Sequence, residues 1–194
     1  MVMQVADLLE TYTIEQYFVF EETALEKHEF VNGKIIPTPG GTVSHNIIAL
    51  NIGTALKYTL RKQPKKYFVM GSDMKISIPQ KKQIPYPDAV VVCEKIETIE
   101  GRKDTIVNPL LIIEVLSDST REFDKRGKFD LYQRIPSLKE YILIEQDYPE
   151  VSTFFREEKN LWRTHETTDL NTKFKLRSLN IEIDMEDVYD GIEF

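Results

Sequence analysis

NPLLIIEVLSDSTREFDKRGKFDLY, residues 108 to 132, passes from an aliphatic run into the carboxylate of Glu114 and then into a basic segment of helical character. A run such as Leu110, Leu111, Ile112, Ile113 implies a strand covered on both faces. Taken alone Glu114 reads equally as a strand-end acid turned to solvent, but with Val115 and Leu116 still apolar after it that reading is hard to sustain. The question is what Glu114 does there.

The neighbouring elements frame an answer. YPDAVVVCE, residues 86 to 94, reads as a strand bounded by Pro87, and YFVMGSDMKISIP, residues 67 to 79, as another. With LLIIEVL these are expected to form the centre of a sheet. If the strands after Asp88 and before Glu114 pair antiparallel, the start of one lies beside the end of the other and both carboxylates reach one edge. Two like charges there repel and lose hydration, a cost that a bound divalent cation offsets. Carboxylate and carbonyl oxygens favour the hard cations Mg2+ or Mn2+.

Working outward, Thr13 caps a short helix IEQYFVFEE, and HEFVNGKIIP folds as a hairpin about Asn32-Gly33. From Thr42 to about Gln63, Val43, Ile47, Leu50, Ile52, Ala55, Leu56 and Leu60 recur at helical spacing. Ser119 or Thr120 caps a helix through REFDKRGKFDLYQRI that ends before Pro136 and is weakened at Gly127. KEYILIEQ is a strand, EVSTFFREEKNLWRTHE an antiparallel hairpin, and MEDVYDGI a short helix. The order is that of an α/β (α+β) protein, and its 194 residues, 41% hydrophobic and free of linkers or repeats, suit a single domain over 1–194.

No apolar run approaches a membrane span and the start lacks the pattern of a signal peptide, so a cytoplasmic protein is expected. Cys93 lies in the apolar run AVVVC as a small hydrophobe, and three scattered histidines argue against a zinc site. The net charge of -7 argues against a nucleic-acid partner only at first sight. Six acids follow Arg177 with no further base, and without them 26 acids face 25 bases. Basic clusters remain at residues 61 to 66, at Lys81 and Lys82, and at Arg121, Lys125, Arg126 and Lys128. Walker-type loops, dinucleotide fingerprints, HExxH and nucleophile elbows are absent, so no nucleotide cofactor is indicated.

A Pro-Asp before one strand and an acid within the next resembles the PD-(D/E)XK nuclease superfamily. PDAVVV followed by LLIIEVLSDSTREFDKRGKFDLY resembles its Uma-type family of restriction-endonuclease-like proteins, with further likeness in HEFVNGKII and the helix bearing His45. The resemblance covers about residues 26 to 145, and EVLSDST with Asp124 and Lys128 is its most specific part. It implies a restriction-endonuclease-like mixed β-sheet flanked by helices, with additional antiparallel hairpins, and metal-dependent cleavage of DNA phosphodiesters, with a homodimer suited to cutting two strands.

The superfamily pattern wants a lysine two residues after the acid, where this sequence has Leu116. Lys128 is the candidate replacement, since Asp124, Lys128 and Tyr132 share one helical stripe at spacings of four. The plainer alternative is a surface Asp124–Lys128 ion pair. The expected site is therefore Asp88, Glu114 and Lys128, with metal ligands Asp88, Glu114 and the Val115 backbone carbonyl. Glu29, His45, Asp73, Asp124 and Tyr132 are further candidates: Glu29 as an added carboxylate, His45 otherwise a helix-surface residue, Asp73 a loop acid, Tyr132 otherwise core. Two competing readings are a nuclease-fold protein that has lost cleavage and binds nucleic acid or protein, and a carboxylate-pair hydrolase acting on sugars.

Overall fold

The computed structural model describes residues 11–117 and 121–194. Helix α1 (Ile14–Glu21) is followed by β1 (His28–Val31) and β2 (Lys34–Pro37), then α2 (Val43–Leu60) and β3 (Tyr67–Gly71). Short strands β4 (Lys75–Ile76) and β5 (Gln83–Ile84) precede β6 (Ala89–Cys93), β7 (Thr105–Ile106) and β8 (Leu111–Leu116). A π-helix (Phe123–Lys128) runs into α3 (Phe129–Tyr132), after which come β9 (Glu140–Glu145), β10 (Val151–Glu158), β11 (Leu161–Thr167), β12 (Lys173–Leu176), β13 (Ile181–Asp184) and α4 (Met185–Val188).

Local chemistry accounts for the expected elements. Thr13 closes a capping box on α1, its hydroxyl accepting from the Gln16 N–H while the Gln16 side chain accepts from the Thr13 N–H. Asn32 and Gly33 take positive φ of 51° and 86°, as a tight hairpin turn requires. Thr42 caps α2 by accepting from the His45 N–H. The buried stripe of α2 is Ile48, Ile52, Leu56 and Leu60; Val43 and Leu50, read as part of that apolar face, instead point to solvent.

A six-stranded mixed sheet in the order β11-β10-β9-β8-β6-β3 divides two cores. α2, β12, β13 and α4 cover one face against Val91, Ile113, Val115, Ile142 and Ile144. Leu131, Tyr132 and Ile135 cover the other against Val90, Ile112, Leu116 and Leu143. β8 pairs parallel with β9 and antiparallel with β6, so the strand bearing Glu114 is central and buried on both sides, as its aliphatic run demands.

Three expectations are corrected. β3 is an edge strand rather than a central one. The chain after it breaks at Ser72–Met74 into the separate β4, which pairs parallel with β7. The helix ending before Pro136 stops at Tyr132, and its first part is a π-helix around Gly127, where a Cβ would lie 2.5 Å from the Phe123 ring. The expected cap at Ser119 or Thr120 lies outside the described residues.

Candidate active site

Antiparallel pairing of Ala89 with Ile113 sets Asp88 opposite Glu114. The Asp88 carboxylate prolongs the ladder: its Oδ2 accepts from the Val115 N–H at 2.7 Å. Its Oδ1 lies 2.9 Å from His45 Nε2 at the start of α2. His45 is thus held at the site rather than on the open helix surface.

Glu114 is 2% exposed and projects to the α3 side. The hydroxyl of Tyr132, itself fully buried, donates to Glu114 Oε1 at 2.8 Å. Lys128 Nζ lies 3.2 Å from the same oxygen, 3.1 Å from Asp124 Oδ1 and 3.8 Å from Glu29 Oε1. Asp124 and Lys128 are buried, so the surface ion pair is ruled out. Leu116 is buried in the core on the Glu114 face, and the amine beside Glu114 is that of Lys128 on the helix. Glu29 reaches in from β1, and its Oε1 accepts from the Tyr86 N–H at 3.1 Å. Asp73 stays outside: it is exposed and pairs with Lys27 at 2.6 Å.

Three carboxylates, of Glu29, Glu114 and Asp124, thus lie within 4 Å of one ammonium, and Asp88 adds its charge from further off. Burial pushes the Glu114 carboxyl well above its ordinary range; Asp124 and Asp88 push the same way, while Lys128 and the Tyr132 hydroxyl pull it back. Burial alone would discharge Lys128, yet the charges of Glu114, Glu29, Asp124 and Asp88 outweigh it and raise its pKa. Burial thus dominates at Glu114 and the surrounding acid charge at Lys128, and both groups hold their protons more tightly than in water. Burial draws His45 toward neutrality, but the hydrogen bond and charge of Asp88, with Asp124 behind, prevail and raise it.

His45, Asp88, Glu114, Asp124 and Lys128 line a cavity of about 80 Å³, room for one or two waters. It adjoins a groove of about 840 Å³, and Thr38, Pro39, Gly40, Gly41, His45, Tyr86 and Asp88 line both. Gly41 leaves room for the His45 ring as it is placed, since a Cβ would fall 2.5 Å from it. Sequence reasoning passed over Gly41 and over Gln146, whose Oε1 accepts from the Thr42 hydroxyl at 2.6 Å and ties the α2 cap to the end of β9. The glycine pair before a helix cap was the available signal for Gly41; a contact spanning 104 residues left none for Gln146.

The donor set fits a hard divalent cation. Its side chains offer oxygens, and Asp124 Oδ1, although near Lys128, is a buried atom without a hydrogen-bond partner. Among the described residues no three His, Cys, Asp or Glu side chains form a ready-made metal cage. Mg2+ is commonly held by one or two carboxylates and keeps its waters.

The Uma2 family, described as "Putative restriction endonuclease", matches residues 14–186. The chain belongs to this family. Two relatives from Synechocystis sp., the uncharacterized proteins sll1609 and slr1290, are 33% and 30% identical to this Uma2 chain over 92% and 93% of its length, and over 100% and 92% of their own. A crystal structure from Anabaena variabilis, described as a "putative nuclease belonging to DUF820", shares the fold with TM-score 0.70 and 15% identity, over 91% of this chain and 96% of that one. The Uma2 chain therefore has a restriction-endonuclease-like α+β fold. Among the described residues no helix is long and apolar enough to cross a membrane.

Proposed function

We propose that this Uma2 protein is a metal-dependent endonuclease that hydrolyses DNA phosphodiester bonds at the Asp88, Glu114 and Lys128 cluster. The observation that carries the reading is Lys128 Nζ 3.2 Å from Glu114 Oε1, in the place that Leu116 leaves without an amine. Asp88, Glu114 and the Val115 carbonyl would hold Mg2+ or Mn2+, with Asp124 as a further oxygen. The ion supplies Lewis acidity toward the phosphate and lowers the pKa of the water it carries.

The chain's own groups do the rest. Lys128, kept protonated by the acids around it, is no general base; it donates to the attacking water and faces the negative charge the phosphorus centre gains. Tyr132 fixes the Glu114 rotamer, and the Val115 N–H and His45 together fix Asp88. Glu29 adds charge that holds Lys128 ionised. Cutting both strands of a duplex would take two such sites, hence a homodimer on DNA.

The test is cleavage of supercoiled plasmid and of labelled single- and double-stranded DNA with magnesium, manganese or chelator. Metal-dependent cutting lost in Glu114→Ala and Lys128→Ala is the expected result. Absence of cutting on every substrate, with no divalent-ion binding by calorimetry, would leave a binding module on a nuclease fold.

A further inference from the structure

The cations nearest the acid cluster are already engaged. Arg121 lies 3.1 Å from Glu145 and 2.7 Å from Asp147, Lys125 lies 2.8 Å from Glu145, and Lys128 is buried among acids. Cations that make no ion pair among the described residues gather elsewhere. Arg134, Lys139, Arg156 and Lys159 line a groove of about 490 Å³ where α3 runs out, β9 begins and the β10–β11 hairpin turns. Lys139 precedes β9, whose Glu140 lies beside Leu111, whereas Glu114 lies beside Leu143; the groove is at the other end of these strands from the acids.

The groove is built rather than incidental. The β10–β11 register shifts between Arg156 and Glu158, a bulge that re-aims the side chains around it. Arg156 is held from two sides, its Nη2 donating to the Gln133 carbonyl at 2.6 Å and its guanidinium lying 4.6 Å from the Trp162 ring centroid. Its Nε is nevertheless a buried donor without a partner, and so is the neighbouring Trp162 Nε1. A part-buried guanidinium that lines the groove, makes no ion pair among the described residues and leaves its Nε without a partner is a costly arrangement that a bound anion relieves. Of the two acids that line the groove, Glu157 is committed to Arg163 and Arg177, leaving Glu158 against four cations.

We propose that this groove is a phosphate-binding site, separate from the acid cluster, in which Arg156 forms the fixed anchor and Arg134, Lys139 and Lys159 form the exposed rim. The phosphate comes either from a nucleic-acid backbone, which would give the nuclease a second grip on its strand, or from a small free phosphate compound. Its geometry does not involve Asp88, Glu114 or Lys128, so it stands or falls apart from cleavage.

Binding is measured in chelator, by anisotropy of fluorescein-labelled single- and double-stranded DNA and by calorimetry with inorganic pyrophosphate. The Arg134→Gln, Lys139→Gln, Lys159→Gln triple variant, at exposed positions, is compared with wild type and with an equal charge loss at Lys81, Lys95 and Lys103. The site predicts at least a tenfold weaker affinity in the rim variant alone. For duplex DNA the slope of log K against log salt shrinks by about 2 to 3, at roughly 0.9 for each phosphate no longer neutralised. Loss of the DNA signal identifies a polynucleotide source, and loss confined to pyrophosphate identifies a small ligand. Equal weakening in the two triple variants, unchanged affinity in the rim variant, or no binding of any probe by wild type overturns the proposal. Repeating the titration in Glu114→Gln separates this outcome from a failure of the nuclease reading.

Discussion

Lys128 Nζ and Glu114 Oε1 lie 3.2 Å apart although their residues belong to different elements, a π-helix and a central strand, and that pairing balances an otherwise acidic pocket. Lys128→Ala leaves three buried or half-buried carboxylates, of Glu29, Glu114 and Asp124, without their ammonium. Removing one partner of a buried pair costs on the order of 3–5 kcal/mol, or roughly 10 °C in melting temperature for a chain of this size. Magnesium should restore more of that loss in Lys128→Ala than it adds to wild type, because the ion then supplies the missing positive charge. A calorimetric melt with and without magnesium checks this, and equal metal effects would contradict it. Cleavage should stay down by about 100-fold or more even in the metal-restored variant.

Glu114→Gln should do the opposite to stability. Burial and the charges of Asp124 and Asp88 raise the Glu114 pKa, so folding takes up a proton there and the ionised carboxylate costs stability as pH rises above its unfolded value. A neutral amide still accepts from the Tyr132 hydroxyl, and Lys128 keeps Asp124 and Glu29. Metal-free Glu114→Gln is expected to melt about 2–4 °C above wild type at neutral pH while cleavage is abolished. A lower melting temperature would mean that the attraction of Lys128 outweighs the repulsion among the acids.

The meeting of Asp88 and Glu114 was legible in the sequence because it needs only a Pro-Asp before one apolar run, an acid ending the next, and antiparallel pairing. The approach of Lys128 was legible as a spacing of four from Asp124. What local pattern does not carry is pairing between distant segments. YFVMG looks as apolar as AVVVC, yet it lies at the edge, since nothing in a strand's own composition states how many neighbours it has. The β12–β13 hairpin, unread in the sequence, alternates polar and buried residues over only four positions per strand, too short a run to stand out. Glu145 reads as the end of a strand, but Arg121 and Lys125 neutralise it from the helix and thereby use up part of the basic cluster noted in the sequence.

Leu116→Lys tests the relocation of the lysine directly. The side chain at 116 is 1% exposed and packs on the Glu114 face with Ile112, Tyr132 and Leu143. An amine there must push into an apolar core already filled, at a cost on the order of 3 kcal/mol. The double variant Leu116→Lys, Lys128→Ala is therefore expected to be less stable than either single change and to regain no cleavage. Recovery of plasmid cutting would show that the strand position still reaches the reacting phosphate.

Gly41→Ala probes His45 without touching a charged group. The new Cβ would sit 2.5 Å from His45 Cδ2, so the imidazole must turn and its 2.9 Å approach to Asp88 loosens. Cleavage should fall about tenfold while stability changes by less than about 1 kcal/mol, within the usual range for a loop substitution. The imidazole 15N resonances report the weakened hydrogen bond; unchanged resonances together with reduced cutting would place the effect in the loop.

Away from the site, Lys75 is 5% exposed on β4 and has Asp104 at 2.6 Å, and Arg102 donates to both Asp104 oxygens. The Arg102 hydrogen bonds hold the Asp104 carboxyl well below its usual range; partial burial opposes this and Lys75 adds to it. A depressed carboxylate contributes stability that is present above its unfolded pKa of about 3.9 and is lost as pH falls toward the folded value. Asp104→Asn should therefore cost stability at pH 7, about 1–2 kcal/mol once the partial solvent exposure of Asp104 is allowed for. That difference should shrink steadily below about pH 4, as the unfolded chain takes up a proton at Asp104 that the folded chain resists. Denaturant titrations of both proteins at several pH values measure it directly. Curves that stay parallel down to acid would show that Lys75 and Arg102 draw their stability from packing rather than from the Asp104 charge.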